Sequence, residues 1–133
     1  MPEISGIAHV ELSVTDLDAS SAWYCALFGA NEVFRVQQPE QGLEACAVVI
    51  PGPRIVIAFT RHDGLDVTPF TPRRTGLDHV SFAVGDEAEL SSWAARLDQL
   101  GIENSGLSDH GYAHAVTFSD PDGIALEFFC RGA

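Results

Sequence analysis

The sequence predicts an α+β fold built from two tandem βαβββ modules. Three observations carry that prediction. Residues 6–27, GIAHVELSVTDLDASSAWYCAL, align without a gap to residues 76–97, GLDHVSFAVGDEAELSSWAARL. Eight of those 22 positions are identical, among them His9/His79, Val14/Val84, Asp16/Asp86 and Trp23/Trp93. Further on, AVVIPGPRIVIAF (47–59) aligns with VTFSDPDGIALEF (116–128), each reading as strand, Pro/Gly turn, strand. Self-similarity at a fixed spacing marks a duplicated structural unit. The chain therefore reads as one domain over 1–133, made of module 1 (about 5–60), a linker (about 61–75) and module 2 (about 76–130).

Each element follows from local pattern. In GIAHVELSV (6–14), Val10, Leu12 and Val14 alternate with His9, Glu11 and Ser13, the period of a strand with one apolar face. Ser20, Trp23, Tyr24 and Leu27 then recur at i, i+3, i+4 and i+7, as do Leu90, Trp93, Ala94 and Leu97 in the second copy. Asp18 is the capping candidate for the first helix and Asp86 for the second, each offering a carboxylate to free amides. A strand is expected near EVFRVQ (32–37), with a weaker counterpart near IENSG (102–106). The single helix of each module covers one sheet face and leaves the other partly polar.

Composition narrows the function classes. At 46% hydrophobic and 20% charged, the chain has the makeup of a soluble globular domain. Its apolar runs are too short to span a bilayer and no signal peptide is legible, so a cytoplasmic location is expected. A formal net charge of −12 repels nucleic acid and anionic membranes, and leaves a small molecule as the expected partner. Cys25, Cys46 and Cys130 form no disulfide pattern; the first two read as small buried hydrophobes.

The polar faces carry the candidate chemistry. His9 and His79 take equivalent places on the side away from the helices. Leu126 and Phe128 mark the helix side of the last strand, which puts Glu127 on the same side as the histidines. Its counterpart in module 1 is Ala58. Two imidazoles and one carboxylate with positions left open is a facial-triad ligand set. Glu11 shares the face of His9 and serves either as a base or hydrogen-bonding partner, or as a solvated rim charge. His110 and Tyr112, in the glycine-flanked loop SGLSDHGYAHAV, are candidates for acid–base work, whereas His114 shares the parity of Val116 and Phe118 and reads as structural.

The doubled hxHhxhxVxD pattern and the closing DPDGIALEF resemble the vicinal oxygen chelate superfamily, which includes glyoxalase I, bleomycin- and fosfomycin-resistance proteins and extradiol dioxygenases. The resemblance implies paired modules forming a curved mixed-sheet cup with helices outside, and a homodimer. It implies a divalent metal, Fe(II), Mn(II), Zn(II) or Ni(II), held by His9, His79 and Glu127. Glyoxalase I uses a fourth group at the position of Ala58, so this chain departs from it. The extradiol and fosfomycin enzymes place a tyrosine where this chain has Thr117. The implied activity is a metal-dependent enzyme, dioxygenase-like or lyase/isomerase-like, acting on a substrate with neighbouring oxygens. The alternative is a protein that binds an antibiotic or metabolite without catalysis.

Overall fold

The structure is a computed structural model that describes residues 1–132. The chain divides into two compact units, Met1–Val67 and a second from Thr68 onward, with the division inside the expected linker. Each unit is one βαβββ module, and together they give the α+β architecture expected from the repeat.

Module 1 contains β1 (Val10–Ser13), α1 (Leu17–Phe28), β2 (Asn31–Gln38), β3 (Leu43–Ile50) and β4 (Ile55–His62). Its sheet has the order β1-β4-β3-β2; β1 runs parallel to β4 and the remaining pairs are antiparallel. Module 2 repeats the plan with β5 (Val80–Ala83), α2 (Glu87–Gln99), β6 (Ser108–Asp109), β7 (Ala113–Ser119) and β8 (Ala125–Arg131), ordered β5-β8-β7-β6. Equivalent registers recur: Glu11 lies opposite Ala58 in module 1, and Ser81 opposite Glu127 in module 2.

The helices are capped by their preceding aspartates. The capping candidate of α1 is corrected from Asp18 to Asp16, whose Oδ1 accepts from the Ala19 amide at 3.0 Å. Asp16 has the extended backbone a cap requires; Asp18 lies already within the first turn and pairs with Arg35 at 2.9 Å. Asp86 caps α2 as expected, accepting from Glu89 N at 2.8 Å. Glu89 reaches back to the Gly85 amide and so satisfies a second donor.

The buried helix faces are those the periodicity picked out: Ser20, Tyr24 and Leu27 in α1, Leu90, Ala94 and Leu97 in α2. Each module closes its own core. Tyr24 packs on Phe59 with ring centroids 4.8 Å apart, and Trp93 stacks on Phe128 at 4.5 Å. Both tryptophans are half-buried, at the margin of the core rather than within it. The three cysteines are free, and burial pushes the Cys46 thiol up to about 11.

The strand expected near IENSG is also corrected. There only Asn104 forms a bridge, to Phe118, and the edge strand proper is β6, paired with His114 and Ala115. Gly101 and Gly106 adopt left-handed φ of 70° and 64°, incompatible with a continuous strand. The Asn104 side chain meanwhile bonds Asp98, the Ile102 carbonyl and the Gly106 amide, shaping a turn. β6 lay hidden in the loop SGLSDHGYAHAV, where it and β7 form a short hairpin closed by His110 N donating to Ala113 O. No helix among the described residues is long and apolar enough to cross a membrane.

On the rim of module 1, β2 carries a bulge. The register shifts between Glu32 and Phe34, leaving Val33 outside the ladder. Glu32 accepts from Ser21 Oγ at 2.7 Å and from Arg35 at 2.8 and 3.2 Å, tying β2 to α1. The hydrogen bonds from Arg35, then from Ser21, hold the Glu32 carboxyl down at about 2. A carboxyl whose folded value is depressed stabilises the fold above its free value, and that contribution is lost as pH falls toward the folded one. The stability advantage of wild type over Glu32→Gln is therefore expected to be level above about pH 5 and to vanish between about pH 4 and 2. Denaturant midpoints along an acid series check it.

Candidate functional site

In module 2 the fold brings two of the expected ligands together. His79 sits immediately before β5 and Glu127 in the middle of β8, with Leu126 and Phe128 buried on the helix side. This places His79 Nε2 3.3 Å from Glu127 Oε1. The other ring nitrogen, Nδ1, lies 2.7 Å from Asp78 Oδ1. That hydrogen bond, opposed by partial burial and aided by the Glu127 charge, holds the His79 imidazole above its ordinary value. Glu127 is well covered, with a side chain only 17% exposed, whereas the His79 ring is 43% exposed. Ser81 and Thr117 flank Glu127 on the neighbouring strands.

Module 1 presents the equivalent histidine with different company. His9 precedes β1, and its Nε2 lies 4.0 Å from Glu11 Oε2, beyond hydrogen-bond range. The buried Thr60 hydroxyl donates to the other Glu11 oxygen at 2.9 Å. Ala58 lies opposite Glu11 in the register and leaves the space beside it to that carboxylate. A cavity of about 360 Å³ at the far end of β4 is lined by Arg61, His62 and Asp63 and includes neither His9 nor Glu11.

The donor chemistry of each pair suits a divalent ion. Ligand atoms held at about 2.0–2.2 Å from one ion stand no more than roughly 4.4 Å apart, and both His–Glu pairs meet that limit. In module 2, one imidazole nitrogen engages a carboxylate while the other faces the site, the arrangement that orients metal-bound histidines. Among the described residues, no three His, Cys, Asp or Glu side chains gather closely enough to hold an ion. The structure thus assembles His79 with Glu127, and His9 with Glu11, each within its own module.

His110 and Tyr112 are not brought to the His79–Glu127 pair. Both lie in the β6–β7 turn, their rings 6.4 Å apart, with Tyr112 74% exposed. The neighbouring Ala113 pairs with Arg131, four residues along β8 from Glu127, so the turn stands roughly 13 Å away along the sheet. His114 faces Glu87 at 2.9 Å and Asp109 at 3.5 Å, joining α2 to the hairpin.

Two residues were missed from sequence. Asp78 is visible as a carboxylate adjoining His79, yet strand alternation would send it to the other face. Thr60 shares the parity of Ala58, the only sequence signal of its place beside Glu11.

Comparison with known proteins agrees with this fold. A family model described as the glyoxalase/bleomycin resistance protein/dioxygenase superfamily matches residues 6–128. A solved glyoxalase/bleomycin resistance protein/dioxygenase domain from Frankia sp. EAN1pec is 31% identical, with a TM-score of 0.87, covering 98% of this chain and 100% of that one. The fosfomycin resistance protein FosX from Listeria monocytogenes, solved with Mn(II) and sulfate, is 22% identical with a TM-score of 0.68, over 98% of this chain and 95% of that one. Catechol-2,3-dioxygenase of Bacillus subtilis is 27% identical over 96% of this chain and 42% of its own length. The chain thus spans about two-fifths of the first curated relatives it matches. A model match over nearly the whole length, on two βαβββ modules of equivalent register, places the chain in the glyoxalase/bleomycin resistance protein/dioxygenase superfamily.

Proposed function

We propose that the chain is a metal-dependent enzyme acting on a small molecule that offers two neighbouring oxygens to the ion. The observation that carries this reading is the oriented His79–Glu127 pair, its far nitrogen anchored by Asp78, repeated as an imidazole at the equivalent His9. His9, His79 and Glu127 are the proposed ligands, supplied by one chain or by two in a homodimer. The relatives support the choice of chemistry: one is a catechol dioxygenase, and another was solved with Mn(II).

A divalent ion, when bound, supplies Lewis-acid polarisation of both substrate oxygens and holds them in one orientation. The chain's own residues do the rest. Asp78, 2.7 Å from His79 Nδ1, orients the ring so that Nε2 faces Glu127, where a bound ion would take it as a ligand. Glu127, on a strand packed from behind by Phe128, supplies a negative charge whose burial a bound cation would offset. Glu11, half exposed beside His9 and held at one oxygen by Thr60, supplies the carboxylate charge of module 1. Ser81 and Thr117 flank Glu127 and set the width available to a substrate beside it. Among the relatives' activities, the likeness to a catechol dioxygenase favours dioxygenase chemistry, with an ion that would keep positions open to two substrate oxygens.

Elemental analysis of the natively purified chain, and of chain dialysed against Fe(II), Mn(II), Zn(II) or Ni(II), tests the reading. About one ion per chain is expected for a single three-ligand site. Protein that takes up none of these ions, yet binds an antibiotic or metabolite, would be a sequestering protein and the proposal fails.

A further inference from the structure

We infer that Glu11 is the carboxylate of module 1, contributed from the first strand of the sheet where module 2 contributes its own from the last. The inference rests on the metal-site reading above and extends it to a fourth residue. Its basis is a comparison internal to the chain. Glu11 pairs across the strands with Ala58, and the equivalent pair in module 2 is Ser81 with Glu127. The same two positions hold one carboxylate and one small side chain in both modules, with their contents exchanged.

The exchange has a structural accompaniment. Two residues along from Ala58 on the same face stands Thr60, whose hydroxyl donates to Glu11 Oε1 at 2.9 Å. The equivalent position in module 2 is Phe129, opposite Ala83 as Thr60 is opposite Ser13. Module 2 has its carboxylate on β8 and no hydroxyl at this place. Module 1 has its carboxylate on β1 and a hydroxyl that fixes one of its oxygens.

Fixing Oε1 leaves Oε2 as the atom nearest His9, at 4.0 Å. That separation is too long for a hydrogen bond and within the span of two donors on one ion. Glu11 and His9 are both about half exposed, so the pair is open to an ion from solvent. A solvated rim charge needs no buried hydroxyl to hold it. Thr60 is only 6% exposed, and turning its hydroxyl to Glu11 gives that carboxylate one orientation among several otherwise open to it. Module 1 therefore offers His9 and Glu11 to an ion as module 2 offers His79 and Glu127, with its carboxylate on a different strand from the counterpart.

The test is Mn(II) binding to full-length, metal-stripped protein, followed by calorimetry and by the electron paramagnetic resonance signal of free Mn(II). Glu11→Gln is expected to weaken Mn(II) binding by about 10–100-fold without shifting the thermal melt, since the side chain is half exposed. Thr60→Val should weaken it by less, through loss of orientation alone. The double variant E11Q/A58E restores a carboxylate at the place equivalent to Glu127 and should recover most of the affinity. An E11Q affinity within about twofold of wild type, or a double variant no tighter than E11Q, overturns the inference. Should wild type bind Mn(II), and His79→Ala abolish binding, while E11Q changes nothing, the three-ligand reading stands and only the role of Glu11 falls. Wild type that binds neither Mn(II) nor, in the same titration, Fe(II), Zn(II) or Ni(II) sinks both.

Discussion

Replacing His79 with Ala is expected to lower divalent-metal affinity by more than about 100-fold, because loss of a ligand should exceed the 10–100-fold typical of the groups behind one. Asp78→Asn should fall within that lower range. The difference follows from geometry. His79 presents Nε2 to Glu127 at 3.3 Å, and Asp78 holds the opposite nitrogen at 2.7 Å. Asparagine keeps a hydrogen-bond acceptor at that position but removes the charge that makes the imidazole a better donor to a cation. Calorimetric titration with Mn(II) reads both effects, and a circular dichroism melt separates them from unfolding. An Asp78→Asn variant with unchanged affinity would remove Asp78 from the site and leave it as a surface carboxylate. An equal and complete loss in both variants would instead make Asp78 a direct participant.

The largest effect on stability is expected at Phe128. Its ring is 1% exposed and packs on Trp93 at 4.5 Å, Phe118 at 5.0 Å and Phe82 at 6.1 Å, so α2, β5, β7 and β8 converge on it. Phe128→Ala removes the ring from a close-packed aromatic cluster and should cost about 3–5 kcal/mol, read as a lowered denaturant midpoint with an unchanged slope. Phe128→Leu refills most of the volume and should cost less. Because Glu127 is the preceding residue, slackening of β8 should also weaken metal binding in the Ala variant. A cost near zero would mean that the cluster collapses around the gap.

Much of the scaffold was legible because duplication is a strong signal. The parity argument that set Leu126 and Phe128 inward also set Glu127 outward, and the register confirms the equivalence with Ala58. What escaped the sequence reading depended on contacts between distant segments. Asp16 and Asp18 offer the same carboxylate, and the choice between them turns on backbone angles and on Arg35, seventeen residues later, drawing Asp18 away. The turn IENSG has strand-like spacing, yet two left-handed glycines and the bonds of Asn104 curl it. His110 and Tyr112 had suitable chemistry, but only the β7–β8 register reveals their distance from Glu127. Thr60 became visible only when its hydroxyl was seen on Glu11.

The bulge at Val33 has a consequence for how the chain behaves in a crowd. β2 is a long edge strand, and Val33 and Phe34 are 60% and 55% exposed, features that invite another molecule's strand to add on. Displacing Val33 from the ladder interrupts the row of amides and carbonyls a second strand would need. The Glu32–Arg35 ion pair brackets the gap with charge. An incoming strand would have to break that pair and realign the edge before its first hydrogen bonds could form. By the edge-strand rule, the bulge makes this edge a poorer template for strand addition than an unbroken ladder would be.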